Sequence, residues 1–387
     1  MEIKSNRIPY ALWLTAWFPT RKSPLNGDFI LRHALATSSF VPVMLIHVEK
    51  DTASKRMQKE IIINGQCTFI KIYYPSYSHW EIVDTIISVF LYLWYCIREC
   101  IDLINKNGKP KAIHVHVAQK SLIAGWLLSL AFHKPLILSE HSGRFLPEGE
   151  DSYFNLPFLK KRLFCYLLKI PKNLTAVSAH LASSIVAFSG RKTVDIIPNV
   201  VDETLFSFSY PPTQLQPFRI IHISNFTSNK NLPEILEAVE LSIKQYGCKV
   251  ELTIVGPIST LPEELRKKKP EWLKTYEEMD QSALSKLIKN NHALVLYSDY
   301  ETFGCVVIEA LSCGRPVLVS NIPSLEEICI DNTNGYLIEK NKPEALAYKI
   351  VSLIKNYHQF SPAKLHTSAV EKYSFNVIGR KIAMLYE

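Results

Sequence analysis

The amino-acid sequence predicts an α/β protein with two doubly wound, parallel-sheet domains, and three features predict it. Short, nearly continuous apolar runs alternate with helical stretches, which is the pattern of strands buried on both faces by crossover helices. This series occurs twice, and SFSYPPTQLQPF, Ser207 to Phe218, divides the two occurrences with a proline-rich, polar stretch that has no period. Finally, 387 residues with 47% hydrophobic and 21% charged content can bury a large core and exceed the usual single-domain size.

The first series runs through strands at Pro9 to Trp17, Val41 to Val48, Ala112 to His116, Pro135 to Ser139, Leu174 to Val177 and Val194 to Ile197. Between the second and third of these, EIIINGQCTFIKIYY reads as a hairpin turning at Asn64-Gly65. The second series opens with FRIIHIS and a helix after Asn231. It continues with KVELTIVG, a charged excursion, HALVLYS, a helix from about Thr302 and PVLVS, and it ends in helices. These runs set the expected domains at 1–206 and 219–372, with 207–218 as the linker. No short repeat or low-complexity tract is present.

Composition narrows the setting. The eight cysteines are scattered, several of them inside apolar runs, and no CxxC pair occurs, which favours reduced core thiols in cytosol over disulfides or zinc. The start, MEIKSNRIPYALWLTAWFP, lacks the charged beginning, long apolar stretch and cleavage site of a signal peptide and reads as a first strand. Basic residues number 44 against 36 acidic, a formal net charge of +8. That excess can attract phosphate ligands or anionic lipid, but no nucleic-acid module accompanies it, so no nucleic-acid partner is expected. Ile82 to Cys100, IVDTIISVFLYLWYCIREC, is interrupted by Asp84 and closed by Arg98-Glu99, which leaves fewer than the ~18 to 20 apolar residues that cross hydrocarbon. It reads as a helix packed across a sheet, and its aromatic residues Trp80, Tyr92, Trp94 and Tyr95 also suit a membrane interface.

In such sheets ligands bind beyond the carboxyl ends of the strands, where loops lead into helix N-termini. SDYE leaves the strand HALVLYS, and TFGCVVIEALSCG then forms the expected helix from Thr302, terminated by Gly314 and Pro316. Glu301 is thereby placed at the helix mouth. A continuous helix would set Glu309 ~12 Å away on a neighbouring side, so the two carboxylates would hold two parts of one elongated ligand. The amides of Phe303, Gly304 and Cys305 would meet an anion between them, with Gly304 allowing close approach. Taken alone, the residues also admit a blander account, in which Glu301 caps a helix and Glu309 pairs with a base at the surface.

The segment ETFGCVVIEA followed by GRPV resembles the paired-glutamate motif of the family 4 retaining glycosyltransferases, which have the two-domain GT-B fold. The resemblance covers nearly the whole chain, because WFPTRKSPLNGDFILRHA, HVHVAQKSLIAGWL, LSEHSG, AVSAHLA, IIPNVVDETLF, HISNFTSNKN and LTIVG occur in order. It implies two Rossmann-like domains facing each other across a cleft. The first would lie on the acceptor side, with 373–387 crossing back onto it, and the second would bind the nucleotide-sugar donor. It further implies that Glu301 contacts hydroxyls of the transferred sugar, that Glu309 binds the ribose and that Lys230 sits against the donor diphosphate, where an ammonium would stabilise the departing nucleotide. Many members have an arginine five residues before that lysine; Asn225 stands there in this chain. The matching glycine loop of the family faces the diphosphate, which points to Gly27. A loop histidine near the reacting sugar points to His141. His114 and His116 are read as alternating across a strand end, with His116 the one on the acceptor side.

What the resemblance implies is a metal-independent transferase that retains configuration at the anomeric carbon by front-face attack assisted by the leaving phosphate. No protein nucleophile is evident. DETLF and SDYE do not form a DxD-type acid pair and the histidines are dispersed along the sequence, so neither a metal nor any other cofactor is expected. The expected reaction moves a sugar from a nucleotide sugar to a glycan or lipid-linked glycan in cell-surface polysaccharide biosynthesis. Cytoplasmic location is expected, with weak association with anionic membrane at the inner face of the plasma membrane. Transfer to a small metabolite is the alternative, since HISNF resembles transferases that glycosylate malate, although Thr227 stands where those have an arginine. A non-catalytic sugar-nucleotide or glycan-binding protein is a further one. A dinucleotide oxidoreductase is disfavoured, because no GxGxxG follows either first strand.

Overall fold

The computed structural model describes residues 8–77, 81–149 and 151–387, and the chain divides into two compact units. The first comprises the described residues up to Val200 together with Phe375–Glu387. The second is Val201–Ser374.

In the first unit the strands are β1 (Ala11–Thr15), β2 (Val43–Lys50), β3 (Gln58–Asn64), β4 (Cys67–Tyr74), β5 (Ile113–His116), β6 (Leu136–Glu140), β7 (Asn173–Ala176) and β8 (Asp195–Ile196). They form one sheet in the order β3-β4-β2-β1-β5-β6-β7-β8. Every described pair is parallel except the β3–β4 hairpin. Parallel neighbours need crossovers, which are supplied by α1 (Asp28–Ser38), α2 (Glu81–Asn107), α3 (Lys120–Phe132), α4 (Phe158–Lys169) and α5 (Ala179–Ser189). The sheet order reverses at β1, which lies between β2 and β5. Within the hairpin, Asn64 stays in register opposite Cys67, so the turn is Gly65-Gln66, one residue later than the sequence suggests.

The apolar run from Ile82 to Cys100 lies in α2, which lays Tyr92, Cys96, Cys100, Leu103 and Ile104 inward and leaves Phe90 and Trp94 exposed. Trp80, which the sequence reading grouped with this aromatic set, lies outside the described residues. No helix among the described residues is long and apolar enough to cross a membrane.

The second unit has β9 (Phe218–Ile223), β10 (Val250–Val255), β11 (Leu273–Tyr276), β12 (Ala293–Leu296), β13 (Val317–Ser320) and β14 (Gly335–Ile338) in the order β11-β10-β9-β12-β13-β14, all parallel. Its helices are α6 (Leu232–Lys244), α7 (Glu263–Lys267), α8 (Gln281–Lys289), α9 (Cys305–Ser312), α10 (Pro323–Glu326), α11 (Pro343–Lys355) and α12 (Pro362–Tyr373). The charged excursion therefore contains an edge strand, β11, and the chain adds β14 before its closing helices. Both are four residues long, too short for their periodicity to stand out from the flanking polar sequence. The last helix, α13 (Phe375–Met384), belongs to the first unit and packs along α1. Beyond it Tyr386 reaches the sheet, where its hydroxyl accepts a 2.8 Å hydrogen bond from Nε1 of the fully buried Trp13.

The boundary between the units falls at Val200/Val201, before the stretch that the sequence marks as a linker. The physical reason is a set of backbone carbonyls in and just before that stretch which the second unit satisfies. Leu205 O accepts from Ser285 Oγ and Lys289 Nζ, and Phe206 O accepts from Ser312 Oγ. Arg315 of the GRPV segment is 1% exposed and spends its five donors on one corner. Its Nε donates to Asn291 O, Nη1 to Ser209 O and Cys313 O, and Nη2 to Ser209 Oγ and Lys289 O. Removing the guanidinium strands several buried carbonyls at ~1 to 3 kcal/mol each. Arg315→Ala should therefore lower the unfolding free energy by at least about 3 kcal/mol in a urea titration. A midpoint within error of the wild type would contradict the account.

Candidate active site

Each unit gathers polar side chains at the carboxyl ends of its central strands. In the second unit, the loop after β9 carries Lys230 and the loop after β12 carries Glu301. The Lys230 ammonium is paired with Glu301 Oε1, which also accepts a 2.8 Å bond from Ser298 Oγ. The two side chains are only 17% and 12% exposed, so this ion pair is largely shielded from water. Backbone and amide bonds knit the two loops together. Asp299 N donates to Asn229 O, Asn229 Nδ2 to Tyr300 O and Asn231 Nδ2 to Asp299 Oδ1.

The helix that follows Glu301 begins at Cys305, three residues later than the sequence predicts. Gly304 is its N-cap at φ 97°, a conformation that disfavours any side chain, and a Cβ there would meet Leu325 Cδ2 at 2.8 Å. Because 302–304 are not helical, the ~12 Å spacing expected of a continuous helix does not apply to the two glutamates. Phe303 is buried, its ring edge-on to Tyr373 with centroids 5.8 Å apart, so its side chain packs the core. Glu309 is 2% exposed on α9, which rules out the surface ion pair of the blander account. Asn225 is exposed, and its Oδ1 accepts from Thr227 Oγ1 at 2.8 Å within its own turn.

In the first unit, a stack of aromatic and imidazole rings crosses the sheet. His114 and His116 lie two residues apart on β5, and a strand's period of two puts both on one face. This corrects the reading that they alternate: their rings stack with centroids 4.3 Å apart. His114 is spoken for, bonded through Nδ1 to the Tyr386 hydroxyl and through Nε2 to Ser139 Oγ. His116 Nδ1 lies 3.3 Å from His141 Nε2, and Phe29 of α1 lies against the His141 ring. His33, also on α1, completes the group. Buried nitrogens of His33 (Nδ1), His116 (Nε2) and His141 (Nδ1) have no hydrogen-bond partner among the described residues. Gly27 caps α1 in the left-handed conformation at φ 72°, pressed against the backbone of Trp17 and Phe18.

The histidines are therefore not dispersed, as their positions along the sequence suggested. Ligand-capable nitrogens of His33, His116 and His141 lie within 4.8 Å of one another. A tetrahedral ion holds its imidazole nitrogens about 3.3 Å apart, so these rings would have to close up to bind one.

Glu140, which the sequence reading passed over, organises this region. Its fully buried carboxylate accepts from Ala118 N, His141 N and Ser142 N at 2.8 to 2.9 Å, fastening the loop after β5 to the loop after β6. Burial pushes the carboxyl up to about 7 against the opposing pull of those three N–H groups. Its place at the end of an apolar strand, directly before His141, was the available signal. His33 carried a weaker one, since only the fold brings α1 to the loop after β6.

The family described as Glycosyl transferases group 1 matches residues 209–370, nearly all of the second unit. Over 353 residues the chain is 22% identical to N-acetyl-alpha-D-glucosaminyl L-malate synthase of Bacillus anthracis, covering 87% of this chain and 90% of that protein. Sucrose-phosphate synthase from Thermosynechococcus elongatus superposes with a TM-score of 0.73 at 17% identity over 97% of this chain and 98% of the other. Anabaena HepE, in complex with UDP-glucose, gives 0.71 at 15% identity over 97% and 98%. The two doubly wound units are thus those of the GT-B fold.

Buried imidazoles dominate the pH response. Burial lowers His33 and His114 from the ordinary 6.5 to about 3, lowers His47, His222 and His292 to about 4, and holds His116 and His141 well below 6.5. Below pH 6.5 the unfolded chain takes up protons that the folded chain refuses, so stability present above 6.5 is lost as pH falls towards 4. Glu140 acts in the opposite sense between 4.5 and about 7, but it is one group against seven. The melting temperature should therefore fall from pH 7 to pH 4.5. A flat or rising profile on acidification, followed by calorimetry, would refute the neutral, buried assignment of these histidines.

Proposed function

We propose that the protein is a retaining glycosyltransferase of family 4 that moves a sugar from a nucleotide-sugar donor to a hydroxyl acceptor. The observation that carries this reading is the shielded Lys230–Glu301 pair at the carboxyl end of the second sheet, with Glu309 buried on the helix that follows. In this reading the donor's diphosphate takes Lys230, its ribose hydroxyls take Glu309 and its sugar hydroxyls take Glu301. The acceptor oxygen bonds to the anomeric carbon on the face that the diphosphate leaves. The carbon–oxygen bond to the diphosphate breaks, and the hydroxyl proton passes to the departing phosphate oxygen. Lys230 and the backbone amides around Gly304 offset the charge that builds there, with no metal given a part in the step. Asn225 adds no cation, which leaves Lys230 the larger share of that work.

For the acceptor, the leading reading is a glycan or lipid-linked glycan used at the cytoplasmic face of a membrane in cell-surface polysaccharide synthesis. Exposed Val83, Ile86, Phe90 and Trp94 along α2, and Phe158, Leu159 and Leu163 beside Lys160 and Arg162 on α4, support contact with an anionic surface. Transfer to a small hydroxy acid is the second reading, favoured by the likeness to the malate-glycosylating relative over 90% of that protein's length.

Two measurements test these assignments. Glu309→Ala should weaken nucleotide binding by about 10- to 150-fold, the equivalent of losing ~1.5 to 3 kcal/mol, whereas Glu301→Ala should chiefly lower turnover. Titration calorimetry and donor-turnover assays that found both variants equal to wild type would reject the roles. In flotation assays the protein should rise with anionic vesicles at low salt and be released as salt increases. No association with either anionic or neutral vesicles would remove the membrane reading.

A further inference from the structure

The imidazole cluster of the first unit holds nitrogens that its own hydrogen bonding leaves over. His33 settles its tautomer. Its Nε2 lies 3.2 Å from Pro198 O, and a carbonyl oxygen only accepts, so the single hydrogen of the neutral ring sits on Nε2. His33 Nδ1 is therefore a bare lone pair, buried and without a donor among the described residues. His116 Nδ1 and His141 Nε2 face each other at 3.3 Å. If one of them donates to the other, the pair is left with one N–H and one lone pair, at His116 Nε2 and His141 Nδ1, both buried and unpartnered among the described residues. Against His141 stands Asn199, whose amide oxygen is likewise buried without a donor.

The spacing of the rings is that of a shared ligand. Their centroids are 5.4 Å apart for His33 and His141, 5.5 Å for His116 and His141, and 6.3 Å for His33 and His116. Three imidazoles on one tetrahedral ion have centroids roughly 5.2 Å apart, given a metal–nitrogen distance of ~2.0 Å and the size of the ring. Two of the three separations already stand near that value, so the closing required is about 1 Å, between His33 and His116, with the rings turning in place. The backbones that carry them are fixed. His116 ends β5, the Glu140 carboxylate holds His141 N at 2.9 Å, and His33 is on α1.

We propose that His33, His116 and His141 form a binding site for one borderline divalent transition-metal ion, Zn²⁺ foremost, with His33 Nδ1, His116 Nδ1 and His141 Nε2 as ligands. In this set the facing nitrogens of His116 and His141 are two lone pairs, already at the separation that one tetrahedral ion imposes. The ring hydrogens turn outward, His33 Nε2–H to Pro198 O and His141 Nδ1–H to the Asn199 oxygen, which are partners of the kind that orient ligating histidines. Three neutral imidazoles suit Zn²⁺, Co²⁺, Ni²⁺ and Cu²⁺, whereas Mg²⁺ and Ca²⁺ require oxygen ligands that the trio does not contain. The Glu140 carboxylate, bonded to the His141 amide, places negative charge beside the ion. The inference goes beyond the transfer reading, since the ion has no part in the step written above. Its effect is to tie α1 to the ends of β5 and β6.

The test uses the untagged full chain, stripped of metal by a chelator that is then removed, and titrates Zn²⁺ against a chromophoric chelator. One equivalent should bind, with Mg²⁺ and Ca²⁺ in large excess failing to compete. His33→Gln should weaken binding by at least about 100-fold, the upper end of what loss of an outer-shell partner costs, and Asn199→Ala by about 10-fold or more. His133→Gln and His358→Gln, at exposed positions, should change nothing. Because a core variant can fail to fold, two measurements use the wild type alone. Co²⁺ in the site should give the intense visible absorption of a four-coordinate ion, with water in the fourth position, and X-ray absorption at the zinc edge should count three imidazoles at ~2.0 Å. Zn²⁺ should also raise the melting temperature of the wild type but not that of His33→Gln. Binding that survives His33→Gln, binding lost with the exposed histidines, or a six-coordinate Co²⁺ spectrum overturns the proposal. So does the absence of saturable binding, which leaves water as the partner of these nitrogens.

Discussion

Parallel strands cannot be joined by tight turns, and that constraint arranges everything else in this protein. Each strand must leave its sheet at the carboxyl end and return by a crossover helix, so the loops of a unit collect along one edge. Along that edge the loops after β1, β5 and β6 bring Gly27, His116 and His141 into one region of the first unit. In the second unit the loops after β9 and β12 bring Lys230 to Glu301 across 71 residues of chain. Sheet order, which reverses at β1 in one unit and at β9 in the other, decides which loops become neighbours.

Loops so placed are still free to move unless something fixes their backbone; in the first unit one buried carboxylate does so, while in the second one buried guanidinium fixes the connections at the amino ends of β12 and β13. Glu140 draws three N–H groups from two loops onto a single carboxylate. Arg315 does the converse, collecting the carbonyls of a proline-rich stretch, the end of α8 and the residues flanking α9. A buried charge is costly unless fully hydrogen-bonded, so both residues specify one backbone arrangement more sharply than apolar packing would. The imidazole stack follows the same logic, since His114 is saturated by Tyr386 and Ser139 while His116 and His141 retain unsatisfied nitrogens.

The two polar edges differ in their electrostatics. In the second unit the cation and carboxylate neutralise each other directly, an arrangement a ligand must share or displace. Around a cavity in the first unit lined by Glu49 and Lys120, Glu49 Oε2 has no hydrogen-bond donor among the described residues.

Sequence alone determined the α/β class, the two series of buried strands and the candidate positions Glu301, Glu309, Lys230 and His141, because these rest on local pattern: continuous apolar runs, turn residues and short motifs. It misjudged features that depend on partners distant in the chain. The proline-rich stretch looked like a free linker, since composition cannot reveal that Arg315 would bind the carbonyls of Ser209 and Tyr210. The helix that carries Glu309 looked three residues longer, since helix-compatible residues do not report that Gly304 is held at positive φ against Leu325. Convergence of His33, His116 and His141 and the three-way grip of Glu140 were set by tertiary structure only. Contacts between residues tens of positions apart are fixed by strand order and crossover, which no local pattern encodes.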